Sequence, residues 1–199
     1  MQSRVFREIK KEIRILGIDD GPFDKFKDKK ADLIGVVYRG GTYIDGVLKR
    51  EIEVDGDDAT DKIVEMILQT RHKGHLRVVM LSGITFGGLN IVDAIELNDK
   101  TNLPVIIVTR KVPDIESMKK AISNVKNKEA KTKRLLAAGD FHKIHVNKKE
   151  VVIQKIDISL EDATEIISVS TVRGAIPEPL RIPHLIASGI KTGDSTGRA

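Results

Sequence analysis

Apolar positions follow two rhythms along this chain: short unbroken runs, and residues repeated every three or four positions. Unbroken runs predict buried strands, because a strand covered on both faces needs no polar side. Residues 13–18 (IRILGI) form the first, stopped by Asp19-Asp20-Gly21-Pro22, a cluster that ends a ladder. Residues 33–38 give a second strand, Arg39-Gly40-Gly41 a turn, and residues 47–54 a third strand whose partial alternation suits an edge, so the pair reads as a hairpin. Residues 77–81 and 104–109 are short and unalternating, as central strands should be, and 144–146 with 151–156 form a small additional hairpin.

The second rhythm places Ile63, Met66, Ile67 and Thr70 on one face of a helix entered through Asp55-Gly56-Asp57-Asp58. Further helices are predicted over 90–97, over 114–138 with Gly139 closing it, over 160–169 behind Ser159, and over 179–189. Residues 82–88 (SGITFGG) read as a flexible loop, and 191–199 as a polar, flexible tail. No repeat or linker divides residues 1–190, which are expected to form a single domain. A hairpin start that gives way to alternating strands and helices predicts an α/β fold. Its mixed sheet has a three-stranded antiparallel start plus two parallel strands, covered by helices.

Composition narrows the chemistry. With 40% hydrophobic but 4% aromatic residues, the core must be aliphatic. The absence of cysteine excludes disulfides, thiolate metal sites and a cysteine nucleophile, leaving oxygen and imidazole donors and favouring hard cations such as Mg²⁺. The 34 Lys and Arg against 29 Asp and Glu give a net charge of +5, an excess that nucleic-acid binders share with ordinary surfaces. No run approaches the roughly 18 apolar residues of a membrane span and the N-terminus lacks a secretory pattern, so a cytoplasmic protein is expected.

Asp19 and Asp20 are the sharpest candidates for chemistry. Neighbouring residues of a strand point to opposite faces, so at least one carboxylate should look into the cleft beyond the strand's carboxyl end; the alternative is a solvated turn. Asp57 and Asp58 either cap the next helix or deliver a second metal ligand. The glycines of 82–88 either admit a phosphate backbone or only connect elements, and the pattern is not that of a nucleoside triphosphate loop. The five histidines show no HExxH spacing, and no G-x-S-x-G elbow occurs.

Several segments resemble a known family. Leu16-Gly17-Ile18-Asp19 is similar to the first-strand motif of endonuclease V, Ile106 to Lys111 to a later strand of that family, and Pro177 to His184 (PEPLRIPH) to its P-E-P motif. The segments VVYRGGTYIDGVL, DGDDAT, GITFGGLNIVD and PEPLRIPHLIASG resemble the archaeal endonuclease dU family over nearly the whole chain.

The resemblance implies an RNase H-like fold, dependence on Mg²⁺ or Mn²⁺, and cleavage of DNA carrying deaminated bases, deoxyuridine among them, with RNA also open as a substrate. It makes Asp19 the central metal ligand, puts Asp58 or Asp57 at the helix-start acid and His184 at the last ligand position, and gives Lys111 to phosphate. Ser82 departs from the pattern, standing where endonuclease V has an aspartate, and Asp20 and Asp93 are the candidate substitutes. Tyr43, near the hairpin tip, is a candidate wedge or stacking platform; Gly83, Arg110, Lys119, Lys120 and Arg181 are candidate nucleic-acid contacts, with the other cations of the 119–134 stretch. Two other readings stay open: a non-catalytic nucleic-acid-binding module whose metal site decayed at Ser82, and an enzyme acting on a small phosphorylated substrate in a closed pocket.

Overall fold

The structure is a computed structural model in which residues 4–195 are described. The first apolar run is β1 (Arg14–Asp20); the predicted hairpin is β2 (Lys30–Arg39) and β3 (Tyr43–Glu53), antiparallel to each other and to β1. Two central strands follow, β4 (Val78–Ser82) beside β1 and β7 (Val105–Thr109) beside β4, both parallel to β1. The expected small hairpin, β8 (His142–Val146) and β9 (Lys149–Ile156), does not stand apart: β9 pairs antiparallel with β7. One seven-stranded mixed sheet results, in the order β3-β2-β1-β4-β7-β9-β8.

Strand alternation sorts side chains between two cores. Leu16, Ile18, Val79, Leu81, Val105 and Ile107 face one side, where α1 (Ala59–Gln69), α2 (Ala94–Thr101), α3 (Ile115–Ile122) and α4 (Lys128–Ala137) pack. Ile15, Met80, Ile106, Val108 and Ile153 face the other, under α5 (Leu160–Ser170) and Leu180 of α6 (Glu178–Thr192). Helix α6 lies along β1 and β2, sealing Ile34, Val36 and Tyr38 with Ala187. Among the described residues no helix is long and apolar enough to cross a membrane.

Three elements differ from expectation. The long basic helix is two helices, separated where Asn127 takes a left-handed backbone (φ 56°), a conformation that asparagine tolerates. The glycine-rich loop contains a tight hairpin, β5 (Thr85–Phe86) with β6 (Asn90–Ile91), so α2 begins only at Ala94. Helix α6 runs through Thr192 to Gly193 (φ 81°), taking two residues of the expected tail into the helix; residues 196–199 lie outside the described residues.

Lys131 of α4 is fully buried. Its ammonium donates to the carbonyls of Asp55, Gly56 and Leu89 and pairs with Asp57 at 3.2 Å. It therefore ties α4 to the α1 entry and to the β5–β6 hairpin. A buried lysine needs this full set of oxygens, because its charge has left water.

Candidate active site

The carboxyl ends of β1, β4 and β7 open into a cleft of about 560 Å³, lined among others by Asp19, Asp20, Ser82, Thr109, Arg110 and His184. Alternation puts Asp19 and Ser82 on the α6 side of the sheet, while Asp20, one residue on, looks to the other side.

Asp19 is buried and meets His184 of α6, with Nδ1 3.0 Å from Oδ2. The fold brings this pair together through Gly17. A side chain at Gly17 would collide with the Pro179 carbonyl, so only glycine lets the α6 backbone lie directly on β1. From Pro179 to His184 the helix then advances about 7.5 Å, and from Gly17 to Asp19 the strand advances about 6.6 Å. The two side chains arrive at the same height. Hydrogen bonding to Asp19, reinforced by its negative charge, holds the His184 imidazole above its ordinary pKa. The ring thus donates its Nδ1–H to the carboxylate.

Asp20 accepts the Gly87 backbone N–H at 2.7 Å, which fixes the β5–β6 hairpin against the end of β1. Burial, aided by repulsion from Asp19, pushes the Asp20 carboxyl up to about 6 despite that bond. Both carboxyls line the one cleft although they leave β1 on opposite faces.

The donors also set a limit on any metal. Among the described residues no group of three or more histidines and acids is gathered so as to hold an ion by itself. Asp19, Asp20, the Ser82 hydroxyl and His184 are nonetheless hard oxygen and imidazole donors in one open cleft. They fit an ion such as Mg²⁺, which keeps several waters and takes one or two carboxylates plus substrate phosphate.

The remaining predicted site residues fall elsewhere. Asp57 and Asp58 line a separate hollow. Asp57 is bound by Lys131, Arg134 and Asn127, and Asp58 accepts from the Glu53 N–H and the Asn90 side chain. Not even helix capping falls to Asp58, since Asn90 receives the Ala59 N–H that opens α1. Asp93 caps α2 by accepting the Glu96 N–H at 2.9 Å. Gly83 has the positive φ of 84° that glycine permits, but its N–H is given to Val108 and so is not offered to an anion.

Tyr43 lies at the wrong end of the sheet for a wedge at this cleft. It pairs with Arg39, which pairs with Arg14 at the start of β1, about 20 Å of strand away from Asp20. Of the basic stretch, Lys131 is buried, Arg134 is paired with Asp57, and Lys119 pairs with Glu116 at 2.8 Å. Lys111 and Lys120 are exposed.

Of the cations at or next to the cleft, sequence reading named Arg110 and Arg181 and missed Lys149 and Arg173. A groove of about 590 Å³ shares Arg110 and Ile176 with it and adds Lys149, Arg173 and Arg181. Its one acid, Glu150, pairs with Lys143 at 3.0 Å, while Arg181 is held by buried Glu178 at 2.6 Å. Lys149 opens β9 next to Lys148, and Arg173 stands alone in the α5–α6 connection; neither belongs to the 119–134 basic stretch that drew attention in the sequence.

Comparison with known proteins agrees with this architecture. Residues 11–191 match the family described as Endonuclease dU. The chain is 48% identical to a UPF0215 protein of Methanothermobacter thermautotrophicus over 200 residues, covering 100% of this chain and 98% of that protein. A crystal structure of an Archaeoglobus fulgidus protein of unknown function aligns with TM-score 0.82 and 38% identity, over 90% of this chain and 99% of that one. Endonuclease V of Ciona intestinalis, in complex with a DNA 23mer containing an inosine followed by a ribo-adenosine, aligns with TM-score 0.58 and 17% identity, over 86% of this chain and 82% of that one. Human endonuclease V gives TM-score 0.56 at 18% identity, over 88% and 83%. The sheet and its covering helices are thus the RNase H-like fold of these nucleases, and the chain belongs to the endonuclease dU family.

Proposed function

We propose that this protein is a Mg²⁺- or Mn²⁺-dependent endonuclease that hydrolyses the backbone of DNA containing deaminated bases, deoxyuridine among them. The observation that carries the reading is the Asp19–His184 pair beside Asp20, at the mouth of an open cleft that continues into a basic groove. An open groove suits a polymer better than a small phosphorylated substrate, which would call for a closed pocket.

Asp19 and Asp20 would hold a divalent cation, which would supply Lewis-acid stabilisation of the charge that develops in phosphodiester hydrolysis. Asp19 presents a carboxylate fixed in orientation by His184, and Arg110 adds a positive charge on the groove side. Arg110, Lys149, Arg173 and Arg181 would follow the phosphates away from the reacting one. Lys119 and Lys120 of α3 are more distant candidates for the same strand.

Ser82 supports a second reading. It offers a neutral hydroxyl at the position where a carboxylate would complete a metal cage, so a binding module without cleavage is the competing function. Nicking of matched oligonucleotides carrying uracil, hypoxanthine or no lesion, with and without Mg²⁺, separates the two. The nuclease reading expects metal-dependent cleavage of a lesion strand, whereas binding without cleavage in Mg²⁺ and Mn²⁺ would leave the module.

The groove has its own test. Lys149→Ala with Arg173→Ala should weaken binding to DNA of any sequence and flatten the dependence of log K on log salt by about 0.9 per lost duplex phosphate contact. Lys128→Ala with Lys133→Ala, on exposed positions of α4, should leave the slope as it is. Equal slopes for both double variants would place the nucleic acid elsewhere.

A further inference from the structure

Phe26 is the most exposed large apolar side chain among the described residues, 94% accessible. It sits in the connection between β1 and β2, whose first residues, Gly21 and Pro22, line the cleft. Phe23 of the same connection turns inward and packs against the core, whereas Phe26 turns out.

The turn that presents Phe26 is braced. Its N–H donates to Asp24 Oδ1 at 2.9 Å, and the Lys27 and Asp28 N–H groups donate to the Asp24 carbonyl at 3.2 and 2.8 Å. Asp28 in turn accepts the Asp24 N–H at 2.9 Å and the Lys191 ammonium at 2.8 Å. Lys191 belongs to α6, the helix that carries His184, so the turn is fastened to the wall of the cleft. Such a turn holds the ring in water by construction, where a loose loop would let it fold back onto apolar surface.

Charge around the ring indicates its partner. Lys25 and Lys29 are exposed, Lys27 pairs with Asp24 at 3.6 Å and Lys30 with Glu51 at 3.3 Å, and Asp28 is taken up by Lys191 and the turn. An aromatic face set among lysines matches a nucleobase with its flanking phosphates, since every base has a π face and every linkage a negative charge.

We propose that Phe26 is a stacking platform for an unpaired base of the substrate strand next to the cleft, with Lys25 and Lys29 on the adjoining phosphates. This rests on the nuclease reading above and adds the surface that holds a base once it has left the helix. The role comes from the β1–β2 connection, at the end of the sheet opposite Tyr43.

Binding of single-stranded and mismatched duplex oligonucleotides carrying 2-aminopurine to the full chain tests it, with affinity and fluorescence quenching read together. Phe26→Ala should weaken binding roughly 5- to 150-fold and remove the quenching, as loss of one base–aromatic stack does. Phe26→Leu should lose the quenching too, and Phe26→Trp should keep both signals. All three should melt with the parent, because the ring is out of the core. Parental affinity and quenching in Phe26→Ala, or quenching retained by Phe26→Leu, would overturn the platform while leaving the nuclease reading intact. A change in sedimentation of Phe26→Ala with DNA binding unaltered would overturn it in favour of a contact between copies. A parent that neither binds nor cleaves any of these oligonucleotides would defeat the nuclease reading, and the platform with it.

Discussion

Replacing Asp19 with asparagine should lower the cleavage of a deaminated oligonucleotide by about three orders of magnitude or more. Losing several kcal/mol of charge stabilisation costs that much, at about 1.4 kcal/mol per factor of ten in rate. Asparagine keeps the size of the side chain and an oxygen to accept the His184 N–H, so the melting temperature should fall by only a few degrees. DNA binding should survive, because the groove cations are untouched. Unreduced cleavage with the same metal requirement would remove Asp19 from the chemistry.

The same variant has a signature in pH. The His184 pKa is raised in the folded chain above its ordinary 6.5 through Asp19. The stability this pair contributes is therefore complete below about 6.5 and is lost as pH rises through the folded value. The stability gap between parent and Asp19→Asn should narrow over that interval in chemical denaturation. Activity moves the other way. Asp20, pushed up to about 6, must lose its proton before it can serve a cation, so cleavage by the parent should rise as pH increases through about 6.

Asp19 was legible as a strand-end acid and His184 only through the resemblance carried by the P-E-P motif, and the fold sets the two side by side. The strand end and the α6 entry needed only to be brought together. Asp57 and Asp58 were not legible in this way. An acid before a helix has the same local signature whether it caps, ligates, or neutralises a distant lysine, and for Asp57 the lysine is Lys131, on α4 beyond four strands and three α-helices. Lys131 itself cannot be told from its exposed neighbours in a basic stretch, because its burial is decided by three carbonyls from other segments. Tyr43 shows the limit of placing a residue at a hairpin tip. Only the register, Arg14 opposite Arg39, reveals which end of the sheet the tip occupies. The layers of the fold were easier to read, since hydrophobic rhythm reports burial directly, and the joining of β9 to β7 was invisible because pairing partners leave no mark in the rhythm of either strand.

Gly17 is where fold and site depend on the same missing side chain, and Gly17→Ala should be among the most damaging single substitutions in the molecule. The added methyl group meets the Pro179 carbonyl and Cβ, backbone and ring of a helix start that has nowhere to retreat without leaving the sheet. The cost should reach or exceed the upper end of the ~1–3 kcal/mol typical of overpacking. For a chain of this size that lowers the melting temperature by about 6–12 °C. Gly35→Ala is the matched comparison. Its methyl group meets chiefly the sulfur of Met66, the flexible part of a side chain that can rotate, so its loss should be clearly smaller. The chemistry should separate the two variants further. If α6 must lift from β1 to admit the methyl group at position 17, His184 leaves Asp19. Gly17→Ala should then show low cleavage even at temperatures where it remains folded, together with an imidazole pKa back near its ordinary value by NMR titration. Gly35→Ala, on β2, should keep the parental His184 pKa and rate. A Gly17→Ala protein as stable as the parent, with a normally paired His184, would mean that the close approach of α6 to β1 is not what sets the Asp19–His184 geometry.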